Sequence, residues 1–520
     1  MSASAIASVR QGKLGGAEQG GLFVFKGVPF AAPPEGARRW LAPEKPASWS
    51  GVRDARRFSR VSPQNALPVM NSALAAMMTV EGEQSEDCLC LNIWTPALDD
   101  KSRPVMVWIH GGGFAAGAAS QPIFDGCVLA RRGDVVVVTF NYRLGPLGFL
   151  RLSDVTGGRV PSSGNEGILD QVAALEWIRD NIAEFGGDPE NVTIFGESAG
   201  GMCVGSLLAM PVARGLFHKA ILQSSGASHA GIPIARANRT AERVLTKLGV
   251  RGSDIAAIRA LSAAQLLTGT LLEDGKTGDP ELGLAYQPVI DGTLLPRFGI
   301  EKVAEGSASG VPVMVGSNLD EWKWLAVRDP SLSELDLAGL GARLSRRLTV
   351  ESANAVIETY RNTRAQRGEL ATPKELFCAI ETDRVFRVPG VRLAEIQGRH
   401  DPRVYSYLFT WQSPAMNGSL GSCHALELGF VFGTNGVPGM ISFAGAGPVA
   451  EKLAIEMQDA WLAFARIGNP SCESIGTWPA YVEPQRPTMI VGENTRLQNA
   501  PRDEERRIWD AIPQSVLGSM

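Results

Sequence analysis

The chain has 520 residues, a formal net charge of −4 and 20% charged residues. That length supplies a large core, enough for one big α/β domain with insertions or two to three ordinary domains, and a small net charge without a basic stripe argues against nucleic acid or an anionic membrane as partner. The N-terminal "MSASAIASVRQGKLGG" lacks the basic start and apolar core of a secretory signal, and no run of 18 uncharged apolar residues occurs, so the expectation is a soluble, cytoplasmic protein with no membrane span.

In chain order, the first apolar β-rich runs are "VMVWI" (105–109) and "DVVVVTF" (134–140). "GILDQVAALEWIRDNIAEF" (167–185) follows, with Ile168, Val172, Leu175, Ile178 and Ile182 at helical spacing along one face. The "GGDPENV" after it reads as a stop with turn chemistry. Further strands are predicted at 192–195 ("VTIF"), 220–224 ("AILQS"), 312–317 ("PVMVGS") and 404–409 ("VYSYLF"). A late helix over 450–468 and a short strand "TMIV" (488–491) close the series. Strands that are apolar throughout, with helices between them, predict a largely parallel sheet covered on both faces. Segments 227–300 and 330–400 are more polar and helix-like and read as insertions or lids. With no internal repeat and no low-complexity linker, the reading is one domain over residues 1–520.

The stretch "TIFGESAGG" (193–201) carries the first chemistry. Strand, Gly196, Glu197, Ser198, Ala199, Gly200 and then a helix-like run form G-x-S-x-G between strand and helix. Side chains two positions either side of the serine would collide in so tight a turn, and the hydroxyl is held out at a helix N-terminus. Ser198 is the expected nucleophile. An unassisted serine is weak, so a base must lie within reach. Of five histidines, His110 precedes the serine and does not fit the order nucleophile, acid, base. His218 runs into a strand, His229 precedes the acid candidates, and His400 lies at the N-terminal edge of the 404–409 strand. His424 follows that strand, at the end where loops of a parallel sheet carry function, and is the expected base. "VPVMVGSNLDEWKW" sets Asp320 and Glu321 just after another strand, and either carboxylate suits the orienting role.

"WIHGGGF" (108–114) places three glycines at a strand end, where backbone N–H groups clear of side chains can converge on a developing oxyanion. A phosphate cradle is disfavoured because no G-K-[ST] follows. The seven cysteines include no C-x-x-C pair and are odd in number, so free thiols are expected, and no cluster suggests a metal or another cofactor. Phe114, Trp322, Trp324 and Trp411 stand near these loops in sequence, where pocket lining and core packing are both open to them.

Taken with "KGVPFAAPPEGARRW" (26–40), "SEDCLCLNIWTP" (85–96), "NYRLGPLGFL" (141–150), "LFHKAILQSSG" (216–226) and "HALELGFVFG" (424–433), these motifs resemble the type-B carboxylesterase/lipase family, which includes bacterial para-nitrobenzyl esterases and cholinesterases. The resemblance implies the α/β-hydrolase fold and a cofactor-free serine carboxylesterase that acts on small ester substrates. It implies the triad Ser198, Glu321 and His424, with Glu321 rather than Asp320 as the acid. It implies an oxyanion hole from Gly112, Gly113 and the amide of Ala199, and Ser224 as a serine near the acid. In relatives a G-G-G-x loop goes with acceptance of tertiary-alcohol esters. Secreted members bridge the cysteine matching Cys88 to one upstream, but none precedes residue 88 here. Amide, carbamate or thioester hydrolysis on the same triad is the alternative chemistry, and an adhesion role, known for relatives lacking the nucleophile, is the alternative class.

Overall fold

The computed structural model describes residues 5–65, 80, 82–225, 231–270, 284–437 and 439–518. At its centre is an eleven-stranded sheet. Its strands are β1 (Ala17–Gln19), β2 (Leu22–Pro29), β3 (Cys90–Thr95), β4 (Arg103–Ile109), β5 (Val136–Phe140) and β6 (Gly187–Glu197). They continue with β7 (Lys219–Gln223), β8 (Val313–Asn318), β9 (Val404–Phe409), β10 (Pro487–Val491) and β11 (Arg496–Asn499). The spatial order is β11-β10-β9-β8-β7-β6-β4-β5-β3-β2-β1. From β10 to β5 every neighbouring pair is parallel. The flanking strands β11, β3, β2 and β1 are antiparallel additions.

The central strands are apolar at successive positions because each face meets its own core. On β4, Val105, Val107 and Ile109 face one core while Met106 and Trp108 face the other. On β8, Val313 and Val315 join the first and Met314 the second. The first core is covered by α1 (Glu166–Asn181), through Ile168, Leu175 and Ile178, and by α2 (Ala199–Ala209) through Met202 and Leu207. Further helices are α3 (Ile234–Lys247), α4 (Glu321–Ala326), α5 (Val350–Gln366), α6 (Pro373–Thr382), α7 (Val388–Gln397) and α8 (Pro448–Ile467). The second core is covered by α8 through Leu453, Met457, Trp461 and Phe464. Burying each of these large side chains contributes about 1.5–3 kcal/mol.

Two local expectations change. After Asn181 the chain tightens into a 3₁₀ turn over Ile182–Phe185, and Gly186 alone, at φ 70°, makes the reversal. Most of "GGDPENV" is therefore strand, because Gly187 already pairs with Arg103 of β4 and the sheet ladder overrides local turn preference. Segment 330–400 is not wholly an insertion. Its α7 is the crossover between β8 and β9 and packs Leu393 and Ala394 against Val313, Val315 and Val404. The antiparallel strands β1, β2, β3 and β11 had no counterpart among the predicted elements; β2 and β3 are held by pairing with each other and with β5, contacts between segments far apart in the chain.

Candidate active site

β6 ends at Glu197, and α2 begins at Ala199, leaving Ser198 alone to turn the chain. Its φ of 55° and ψ of −127° lie outside the regions open to ordinary L-residues, a strain of order 1–3 kcal/mol that the surrounding packing has to hold. The packing is tight: a β-carbon at Gly200 would sit 2.0 Å from the Ile109 carbonyl oxygen. Ala199, the first residue of α2, presents its amide at the helix N-terminus, where N–H groups lack intrahelical acceptors.

The loop after β4 carries Gly111, Gly112 and Gly113, which line the same cavity as Ser198 and His424. Gly112 has φ 110°, and a β-carbon there would fall 2.0 Å from the Ala116 carbonyl oxygen, so only glycine fits. His110 anchors this loop from behind. It is stacked 4.5 Å from Tyr142, its Nδ1 lies 2.9 Å from the Gly111 carbonyl, and burial lowers its pKa to about 4, which keeps it neutral.

His424 comes from the loop after β9, and its Nδ1 is 2.6 Å from Glu321 Oε2. Glu321 is fully buried at the start of α4, and its Oε1 accepts a 2.6 Å bond from the Asn318 N–H. Asp320 points elsewhere: it accepts from the Ser422 N–H at 2.9 Å and pairs with Lys323 at 3.2 Å. Geometry thus separates two carboxylates that adjacency in sequence left equivalent. The remaining histidines lie apart. His218 Nδ1 accepts from the Val192 N–H, His400 Nε2 lies 3.0 Å from the Ala304 carbonyl, and His229 is outside the described residues.

Two acidic neighbours of the imidazole were not singled out in the sequence. Glu197, next to the serine, has Oε1 3.1 Å from His424 Nε2. Glu427, three residues after His424 and just before a short helix, accepts from Asn318 Nδ2 at 2.7 Å and Gln223 Nε2 at 3.1 Å. Burial raises the Glu197 carboxyl to about 8, against the pull of His424, and raises Glu427 to about 7. For His424 burial opposes the charged form, but Glu197 and Glu321 outweigh it and lift the imidazole to about 9. Glu197 and His424 are therefore coupled, and the protonation of each depends on the charge of the other. The signal for Glu197 was present, a carboxylate beside the nucleophile; nothing local marked Glu427.

The cavity, about 230 Å³, has a mainly apolar wall of Phe124, Leu284, Tyr286, Trp324, Leu325 and Phe386. Phe386 also packs 5.0 Å from the His424 ring and belongs to a π-helical turn over Asp383–Arg387, held by a buried Asp383–Arg387 pair. Of the four aromatics raised by sequence, only Trp324 lines this cavity. Phe114 packs on Phe149, Trp322 on Phe377, and Trp411 Nε1 donates to the Ala444 carbonyl. Ser224 is fully buried with φ 46°, but its hydroxyl has no hydrogen-bond partner among the described residues and does not bond Glu321. Among the described residues, no group of three or more His, Cys, Asp or Glu side chains is arranged to hold a metal ion, and no helix is long and apolar enough to cross a membrane.

The model of the carboxylesterase family matches residues 3–509. The chain is 39% identical over 510 residues to the para-nitrobenzyl esterase of Bacillus subtilis (strain 168), covering 96% of this chain and 98% of that protein. It is 35% identical over 497 residues to the phenmedipham hydrolase of Pseudarthrobacter oxydans, covering 94% and 95%. The crystal structure of the Geobacillus stearothermophilus carboxylesterase EST55 at pH 6.2 superposes with a TM-score of 0.86 at 40% identity, covering 97% of this chain and 99% of that one. The chain therefore belongs to the carboxylesterase family: it is a serine carboxylesterase of the α/β-hydrolase fold, hydrolysing carboxylic esters through an acyl-enzyme.

Proposed function

We propose that Ser198, His424 and Glu321 carry this reaction. Ser198 Oγ attacks the ester carbonyl while His424 Nε2 takes its proton; His424 then returns that proton to the leaving alcohol. Glu321 fixes the imidazole through Nδ1 and stabilises the imidazolium. The amides of Gly112, Gly113 and Ala199 receive the developing oxyanion. Water repeats the cycle on the acyl-enzyme. The observation that supports this most is the 2.6 Å contact between His424 and a fully buried carboxylate, in a cavity shared with a serine on a strained strand-to-helix turn.

The cavity wall favours small esters with apolar acyl or aryl groups, and a relative named for para-nitrobenzyl esters suits that lining. We read residues 1–520 as one domain in which parts of the segments 227–300 and 330–400 cover the site; Leu284, Ala285, Tyr286 and Phe386 support this by lining the cavity. Seven thiols outside any disulfide support a cytoplasmic location. Ser198→Ala tests the assignment: ester turnover should fall by roughly 10⁴ with the fold intact. An organophosphate should add its mass to the peptide bearing Ser198. Turnover within about tenfold of wild type would reject the nucleophile.

A further inference from the structure

A second cavity, about 670 Å³, opens at the opposite edge of the sheet, where β6 to β9 begin. Lys219 sits here at the start of β7, one strand length or roughly 15 Å from the catalytic end. Four cationic side chains, Arg214, Lys219, Arg403 and Arg466, line it against two carboxylates, Asp188 and Glu190. Lys219 is only 7% exposed and bonds Asn191 Oδ1, an arrangement that leaves two ammonium N–H groups over. His218 Nδ1 accepts from the Val192 N–H at 3.2 Å, so its proton sits on Nε2. That nitrogen faces Glu190 Oε2 at 3.7 Å, which serves it as an ion-pair partner when the imidazole is protonated. The Ser307 hydroxyl is buried with no partner. The Lys219 ammonium and the Ser307 hydroxyl thus line one cavity with donor capacity left over, and buried donors left unpaired are costly.

The positive charges are also uncomfortable as they stand. Burial and then the nearby Arg403 work against the Lys219 ammonium, lowering its pKa to about 8. A bound anion relieves both the unpaired donors and the repulsion. The same cavity has an apolar side, from Leu207, Leu208, Phe217, Val311 and Pro312. We propose that this cavity binds an amphiphilic oxyanion, an alkyl carboxylate or alkyl phosphate, with its headgroup on the Lys219 ammonium and the Ser307 hydroxyl and its chain against the apolar side. The site is separate from the ester-cleaving cavity.

The test is calorimetric titration at pH 7 and constant ionic strength, on full-length enzyme whose active site has first been blocked with an organophosphate. The probes are octanoate, octyl phosphate, inorganic phosphate and octanol. One molecule of octanoate or octyl phosphate should bind per chain, octanol should not, and whichever anion binds more tightly identifies the headgroup. Inorganic phosphate should bind more weakly than octyl phosphate. Lys219→Met should weaken binding at least tenfold and Ser307→Ala threefold or more, with ester turnover of the unblocked variants unchanged. Raising the pH from 7 to 9.5 should also weaken it, because Lys219 loses its proton. The other titratable groups lining the cavity are His218, which burial holds below its ordinary value and so neutral throughout this range, and Asp188, Glu190, Arg214, Arg403 and Arg466, whose carboxylates and guanidiniums do not ordinarily titrate there. Absence of saturable anion binding, octanol binding as tightly as octanoate, or affinity unchanged in the variants would overturn the proposal. Should Lys219→Met fail to fold, Ser307→Ala and the pH series decide it.

Discussion

Glu197 faces Nε2 of the proposed base, and Glu197→Gln exposes its influence on the pH at which that base becomes available. His424 must be neutral at Nε2 to accept the serine proton, so anything that stabilises the imidazolium moves the activity limb to higher pH. With Glu321 on one nitrogen and Glu197 3.1 Å from the other, the wild-type limb should lie above the ordinary histidine value of about 6.5. At that distance and an effective dielectric of about 20, a full charge on Glu197 favours the imidazolium by roughly 5 kcal/mol, or about four pH units. Burial raises the Glu197 carboxyl to about 8, so it carries the charge only part of the time near neutrality. The expected shift is therefore smaller, about one to two units downward in Glu197→Gln. Glu321 and Glu427 still face the ring and keep the limb from falling below the ordinary value. The assay is kcat/KM against pH with a p-nitrophenyl ester, read at a wavelength where p-nitrophenol and its anion absorb equally. Glu197→Asp, which keeps the charge, is the control. A limb that stays put or moves up in Glu197→Gln would refute the electrostatic account.

Glu321→Ala should lower kcat far more than Asp320→Ala, because only Glu321 touches the imidazole, whereas Asp320 holds the Ser422 amide and Lys323; the reverse ranking in steady-state kinetics would displace Glu321 as the acid. Gly200→Ala forces a β-carbon to 2.0 Å from the Ile109 carbonyl oxygen, so the elbow has to shift. A loss of about 1–3 kcal/mol in chemical denaturation should accompany a large fall in turnover, and a variant with wild-type stability and rate would show that the turn is looser than described. Three glycines on the proposed oxyanion loop put no side chain of their own beside the expected carbonyl position, so a tert-butyl ester should be hydrolysed, more slowly than the n-butyl ester and only with Ser198 intact. Gas chromatography of the released alcohol checks this, and no Ser198-dependent tert-butanol alongside active n-butyl cleavage would point to Leu284 and Tyr286 as the narrowing wall.

What the sequence determined by itself was whatever chemistry or geometry is local. Ser198 was legible because a strand, a turn too tight for side chains and a helix all lie within a few residues of it. Continuous apolar runs announced a sheet covered on both faces, and Val105 to Ile109 facing two cores in alternation is the physical form of that pattern. The tertiary structure decided matters that depend on which way neighbouring side chains point, or on segments far apart in the chain. Asp320 and Glu321 are adjacent and chemically alike, and only the placement of α4 against the loop after β9 turns one toward His424 and the other toward Ser422. Residue matching within the family named the same carboxylate, but spacing could not. Glu197 stood in plain view beside the serine, yet its contact with His424 Nε2 exists only because β6 and β9 deliver their loops to one end of the sheet. Phe386 reaches the imidazole through a π-helical turn that no local pattern marked, since its hydrogen bonding departs from the helix on either side and is held by the buried pairing of Asp383 with Arg387. A one-dimensional pattern encodes backbone geometry and burial; side chains from different strands converge only after those strands have been placed side by side.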